Sequence, residues 1–225
     1  KAIKNGILIL LILTITQNLV AQGFVNLNFE NATFISDPSS LFYPSAVYAS
    51  DAIPGWTAYV GEASLTDVLS NNVSLSGVSV SIIGTNWGYP QLQGQYSILL
   101  AGANDPGVTA NTAIGQTGQI PITTKSIIYW GLAENTLQIT FNGHLLSFNA
   151  INNTANYTVY GADISSFAGQ TGELLFTALP SEGFGLIDNI QFLTTPVPEP
   201  SVFSLSALGS LLFVWRRRRN QLNLF

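Results

Sequence analysis

Between residues 22 and 195 no helical period persists for more than a turn or two. Short apolar or alternating runs recur instead, broken by Gly, Asn, Pro and Ser. A helix needs apolar residues at i, i+3, i+4 and i+7, whereas runs of this length and spacing are strand signals. The clearest is Leu137–Phe141, Asn142-Gly143, His144–Phe148. Asn-Gly between two β-rich runs supplies the positive φ values of a type I′ hairpin turn. Val78–Ile83, Tyr96–Leu100, Ser126–Trp130, Glu173–Ala178 and Gly185–Phe192 read as further strands, and Phe24–Phe29 as the first of them. Asp163–Ala168 reads as one helical turn with Asp163 as its N-cap. About eight to ten strands in one unit predict an all-β, two-sheet antiparallel β-sandwich over 22–195.

The two ends have a different character. Lys1 and Lys4 precede the apolar run Ile7–Ile15, and Leu19-Val20-Ala21 offers a small residue for cleavage. That is the layout of a secretory signal peptide, assigned to 1–21. At the other end, Pro198 and Pro200 fix φ and remove two backbone donors, so Val197–Ser201 is expected to be extended. A largely apolar run from Ser201 to Trp215 follows, then Arg216, Arg217, Arg218 and Arg219. As a helix that run spans roughly 22 Å, short of the ~30 Å hydrocarbon core, with Trp215 at the interface and arginines able to snorkel. The four arginines mark its cytoplasmic side. The competing reading, a core helix with a basic tail, lacks the amphipathic pattern it needs.

Pro198-Glu199-Pro200, a hydrophobic span and an arginine cluster, in that order, resemble the PEP-CTERM sorting signal of Gram-negative bacteria. The resemblance covers the tail, 196–225. It implies recognition by an exosortase, a membrane-embedded cysteine transpeptidase-like enzyme that removes the tail near the motif. It also implies transient anchoring in the inner membrane and a final place at the cell surface or outside it, commonly with exopolysaccharide.

Charge narrows the function of the middle. Of twelve Asp and Glu, all but Glu199 lie between the two ends, against Lys125 as the one Lys or Arg there. A segment this acidic lacks the cationic surface that nucleic-acid binding requires. No cysteine is present, so there are no disulfides, no thiol catalysis and no Cys-based zinc site. The single histidine, His144, reads as an exposed strand-start residue. The carboxylates are scattered, and no spacing singles out a glycosidase pair.

Asn28-Phe29-Glu30, Pro54-Gly55-Trp56, Gly94-Gln95-Tyr96-Ser97 and Leu186-Ile187-Asp188-Asn189-Ile190 resemble a galactose-binding-like jelly roll, a fold that includes many carbohydrate-binding modules. That resemblance implies a structural calcium shared by Glu30 and Asp188; the competing reading has both residues capping or solvating strand ends. Calcium takes six to eight oxygens, which carbonyls and asparagines can complete. In Asn86–Gln91, Trp87 and Tyr89 stand among turn formers and amides, either as a stacking platform for a glycan or as a loop plug. Trp56 and Trp130 read as core.

The expectation is an exported, non-enzymatic envelope or extracellular-matrix protein, structural or adhesive within exopolysaccharide, with edge strands available for self-association. Two alternatives stand beside it: a specific carbohydrate-binding module and a secreted glycan hydrolase.

Overall fold

A computed structural model describes residues 22–197, apart from 75–76, 86, 89–91, 106, 134–136 and 181–183. The leader and the sorting residues Pro198, Glu199, Pro200 and Arg216–Arg219 therefore lie outside the described residues, as does the expected C-terminal helix. Among the described residues no helix is long and apolar enough to cross a membrane.

The strands are β1 (Ala46–Tyr48), β2 (Thr57–Val60), β3 (Ala63–Ser64), β4 (Asp67–Ser70), β5 (Ser79–Gly84), β6 (Tyr96–Ala101), β7 (Ala103–Asp105) and β8 (Val108–Ala110). They continue with β9 (Thr112–Gln119), β10 (Ser126–Ala133), β11 (Leu137–Phe141), β12 (His144–Leu145), β13 (Asn149–Asn153), β14 (Thr158–Asp163), β15 (Thr171–Ala178) and β16 (Phe184–Leu193). One sheet has the order β1-β4-β5-β6-β16-β10-β14-β13, the other β12-β11-β15-β9-β2-β3, and β7 pairs with β8 alone. All pairings are antiparallel except β4 with β5. The chain repeatedly changes sheets, from β9 to β10, β10 to β11, β14 to β15 and β15 to β16, which is the winding of a jelly roll.

The core lies between the sheets. Val80, Ile82, Ile98, Leu100, Ile127 and Ile187 line the eight-stranded face, and Ile114, Ile139, Phe141, Leu174 and Phe176 the other. Each such side chain contributes about 1.5–3 kcal/mol on burial, which is how a chain without disulfides holds together. Alternation along β6 shows the division: Ile98 and Leu100 point inward, while Leu99 and Ala101 join a second apolar cluster on the outer face.

Three expectations change. Phe24–Phe29 is not a strand: Asn26 and Phe29 have φ of 49° and 56°, and only Gly23 bridges to Gln119. Left-handed residues cannot continue a ladder. The segment folds into a turn instead, placing Phe29 fully inside against Trp56, whose Nε1 donates to the Asn26 carbonyl at 3.0 Å. The Asn142-Gly143 turn forms as expected, with φ of 49° and 76°, but its second strand stops at Leu145 because Leu146 turns into the core. The helical turn is a 3₁₀ turn at Ser165–Phe167 whose N-cap is Ile164. Asp163 still holds it, accepting from the Ser165 N–H at 2.8 Å, and that bond keeps its carboxyl below the usual aspartate range.

Candidate functional site

The loop entering β6 is gripped by two carboxylates. Glu30, which follows the turn that buries Phe29, accepts from the Gln95 and Tyr96 N–H groups at 2.8 and 3.1 Å through Oε1. Gly94 has φ of +60°, and a Cβ there would run into the Glu30 carboxylate, so both conformation and space require glycine.

From the other side comes Asp188. Its Oδ2 accepts from the Gln93 N–H at 2.9 Å and from Ser97 Oγ at 3.2 Å, and its Oδ1 from the Asn189 N–H at 2.6 Å. The residue is fully buried. Loss of solvent pushes its pKa up to about 7 against those hydrogen bonds, and the negative Glu30 nearby adds to the rise.

A bulge makes this placement possible. Asn189 has φ of 46°, and the β10–β16 register shifts between Ile128 and Trp130. The extra residue resets the alternation of β16, so Ile187 and Ile190 both reach the core while Asp188 points to the outer face beside Leu186. The structure thus brings Glu30 and Asp188 to one five-residue loop, 92–96.

The same loop carries a further buried oxygen: Gln93 Oε1 has no hydrogen-bond partner, while the Gln93 backbone N–H is held by Asp188. Gln93 carried no signal in the sequence, since one amide in a turn-rich stretch is unremarkable. Two carboxylates thus grip a loop that also carries an orphaned amide oxygen. Among the described residues no three His, Cys, Asp or Glu side chains cluster to hold a metal, so any cation here would complete its shell with backbone and amide oxygens.

Next to the loop, Phe34, Ser70, Asn71, Thr85, Gln95 and Tyr96 line a cleft of about 320 Å³. The Phe34 and Tyr96 rings lie 5.2 Å apart at 57°. This lining is uncharged: hydroxyls, amides and aromatic surface.

The outer face of the eight-stranded sheet carries the other aromatic group. Trp87 is half-buried there, against a cluster built on Ile83, Leu92, Leu99 and Leu186; Tyr89 lies outside the described residues. Trp130 is not in the core between the sheets. It is half-buried in the same outer cluster and stacks flat on Tyr157, with centroids 4.2 Å apart and planes 8° from parallel. The run Ser126–Ala133 is apolar on both faces, so periodicity could not tell which face Trp130 took, and nothing marked Tyr157 as its partner. His144 is exposed at the hairpin and packs on Phe167 at 5.8 Å.

Residues 196–219 match the PEP-CTERM protein-sorting motif. A signal of this type marks an exported protein that passes through a membrane-anchored stage and is processed by an exosortase. No curated protein matches the chain. Among solved structures it is similar to TmCBM61 in complex with beta-1,4-galactotriose, at 12% identity over 76% of this chain and 98% of that one, with a TM-score of 0.41. It is also similar to the family 11 carbohydrate-binding module from Clostridium thermocellum in complex with a beta-1,3-1,4-mixed-linked tetrasaccharide (12% identity, 68% and 97% coverage, TM-score 0.34). A third is the enzymatically active domain of bacteriophage CBA120 tailspike protein 4 (17% identity, 61% and 19% coverage, TM-score 0.35). Likenesses this distant bear on neither ligand nor activity.

Proposed function

We propose that the chain is an exported, non-enzymatic protein of the cell envelope or extracellular matrix, whose β-sandwich is the delivered cargo and whose tail is the address. The observation that carries this is the sorting motif at 196–219, starting only three residues after the last strand ends at Leu193. The carboxylates support a non-catalytic role. Glu30 and Asp188 are engaged in gripping a loop, and Asp163 in holding a turn. Intact mass of the protein recovered from envelope and medium tests the reading: the tail should be gone in the presence of exosortase and retained in its absence. Retention of Arg216–Arg219 in both would sink it.

Glu30 and Asp188, with the unpartnered Gln93 Oε1 on the loop they grip, supply oxygen donors of the kind calcium takes. Hard oxygen donors of like charge, in a segment whose one Lys or Arg is Lys125, are the donor chemistry calcium selects. These three residues would hold it, and its contribution would be structural, offsetting the charge repulsion and fixing the 92–96 loop. Calcium should raise the melting temperature, and a melt unchanged by chelator would remove the ion from the account.

A carbohydrate-binding reading is favoured by a second observation, the Trp130–Tyr157 stack with Trp87 on the outer sheet face. Flat aromatic surface beside amides suits the apolar faces of sugar rings. On this reading the partner is an exopolysaccharide, met by Trp87 and, two residues along the chain, by Tyr89. Self-association would use β13, one of the two edges of the eight-stranded sheet, whose side chains are mostly exposed.

A further inference from the structure

The head of the sorting motif does not leave the sandwich as a free linker. After β16 the Leu193 carbonyl accepts from the Lys125 N–H at 2.8 Å, and the Thr195 carbonyl accepts from Ser126 Oγ at 2.7 Å. Ser126 is fully buried. Two residues later the chain reaches the outer face of β14. A Cβ built on Gly161 would lie 3.2 Å from Val197 Cγ2, 3.2 Å from Ile151 Cδ1 and 3.4 Å from Ile128 Cγ2.

Gly161 is mid-strand, paired with Ile128 on one side and Asn149 on the other. It is not among the residues with positive φ, so its backbone does not call for glycine. A glycine inside a strand forfeits stability, and where no special dihedral explains it, close approach of another segment does. Here that segment is Val197, half-buried over the gap. The matched motif begins at 196. Its second residue is therefore already laid on the domain, and Pro198-Glu199-Pro200 begins immediately beyond the contact.

We propose that the domain carries a seat for the head of its own sorting motif, with Gly161, Ile128 and Ile151 receiving Val197 and Ser126 tacking down Thr195, and that this seat restrains the hand-over of Pro198-Glu199-Pro200 to the processing enzyme. The proposal rests on the sorting reading above. While the seat is filled, no slack separates a folded body from the segment a membrane-embedded enzyme must take. Freeing residues 194–197 adds four residues of chain, roughly 13 Å of reach at about 3.3 Å each. Processing then proceeds from the unseated fraction, so weakening the seat speeds it.

The test uses the full chain in its host, following conversion of tailed precursor to tail-less product by intact mass after a pulse of synthesis. Ser126→Ala removes the tack, and Gly161→Leu fills the space beneath Val197. Both lie outside the matched motif, so neither alters what the enzyme reads. Methyl NOEs from Val197 to Ile128 and Ile151 in purified precursor report the seat directly, and thermal melting reports the fold. Ser126→Ala should weaken those NOEs and shorten the precursor half-life about fivefold, the usual net worth of one hydrogen bond; Gly161→Leu should do at least as much. Should Gly161→Leu fail to fold, Ser126→Ala carries the test alone. NOEs that are absent from the wild type, or undiminished in Ser126→Ala, would show that there is no such seat, and weaker NOEs with an unchanged half-life would show that the seat does not limit hand-over. Loss of the wild-type tail in an exosortase-deficient host would overturn the sorting reading, and the hand-over restraint with it, leaving the Val197 NOEs to decide the seat itself.

Discussion

Substituting Asp188 by Asn tests the account of the loop grip most directly. Burial lifts the Asp188 pKa from 3.8 to about 7, so between those values the folded protein holds a proton that the unfolded chain has released. Stability from this residue is then fully present below about pH 4 and lost as pH rises through about 7. At 1.36 kcal/mol per unit, the gap of about three units corresponds to a loss on the order of 4 kcal/mol between pH 4 and pH 8. Asp37 and Asp163, whose carboxyls are lowered by hydrogen bonds from Ser39 and Ser165, act in the opposite sense and below pH 4, so the two windows separate. The amide that Asp188→Asn introduces cannot ionise, and the slope should vanish. Near pH 8 the variant sheds the buried charge but sets an NH₂ among the donors Gln93, Ser97 and Asn189, a mismatch of about 1–3 kcal/mol. It should therefore be no less stable than wild type there, and clearly less stable at pH 4. The assay is urea unfolding with chelator at half-unit steps of pH. A wild-type profile flat from 4 to 7, or an Asn variant that keeps the slope, would refute the reasoning. Added calcium should flatten the wild-type profile by favouring the charged form, and should leave the variant unmoved.

The other expectations are more local. Glu30→Gln keeps an acceptor for the Gln95 and Tyr96 N–H groups but removes the nearby charge, so the wild-type pH midpoint should move downward in the same unfolding series. Phe29→Ala empties a fully buried site against Trp56 and should destabilise by about 3–5 kcal/mol in urea. Gly143→Ala places a Cβ at φ of 76° with open space around it; backbone strain alone should remove about 1 kcal/mol. Trp130→Ala with Tyr157→Ala should abolish retention on immobilised host exopolysaccharide; retention that survives in a folded variant moves any glycan site off this face.

What could be read in advance followed the strength of local patterns. β5, β6, β10, β11, β15 and β16 announced themselves through apolar runs bounded by turn residues. β9 did not, because Thr112–Gln119 is half glycine and amide. Its neighbours choose that composition: a Cβ on Gly115 would lie 2.9 Å from Glu173 Oε1 and 3.0 Å from Leu175 Cδ1, and both belong to the partner strand β15. Such a constraint is invisible along the chain. Glu30 and Asp188, which the resemblance pairs, do share a loop, but their placement was not legible, since Glu30 leaves a turn and Asp188 is aimed by a bulge. The lost strand at Phe24–Phe29 traces to the left-handed Asn26 and Phe29, and the outward Trp130 to a strand apolar on both faces, in which Ile127 and Tyr129 take the inner one. Neither follows from hydrophobic period.

β16 lies between β6 and β10, in the middle of the larger sheet, although among the described residues it is the last strand made. Until residues 184–193 are available, β6 and β10 have no partner between them, and the larger sheet stands as two open halves. A chain emerging from an export channel N-terminus first cannot finish folding when most of its length has crossed; it must wait for nearly all of it. Completion is therefore a late, long-range event that takes place close to the membrane, just ahead of the tail. Chains cut short before Phe184 would present open strand edges to proteases and to one another, whereas a closed sandwich certifies that synthesis and translocation have run almost to the address label.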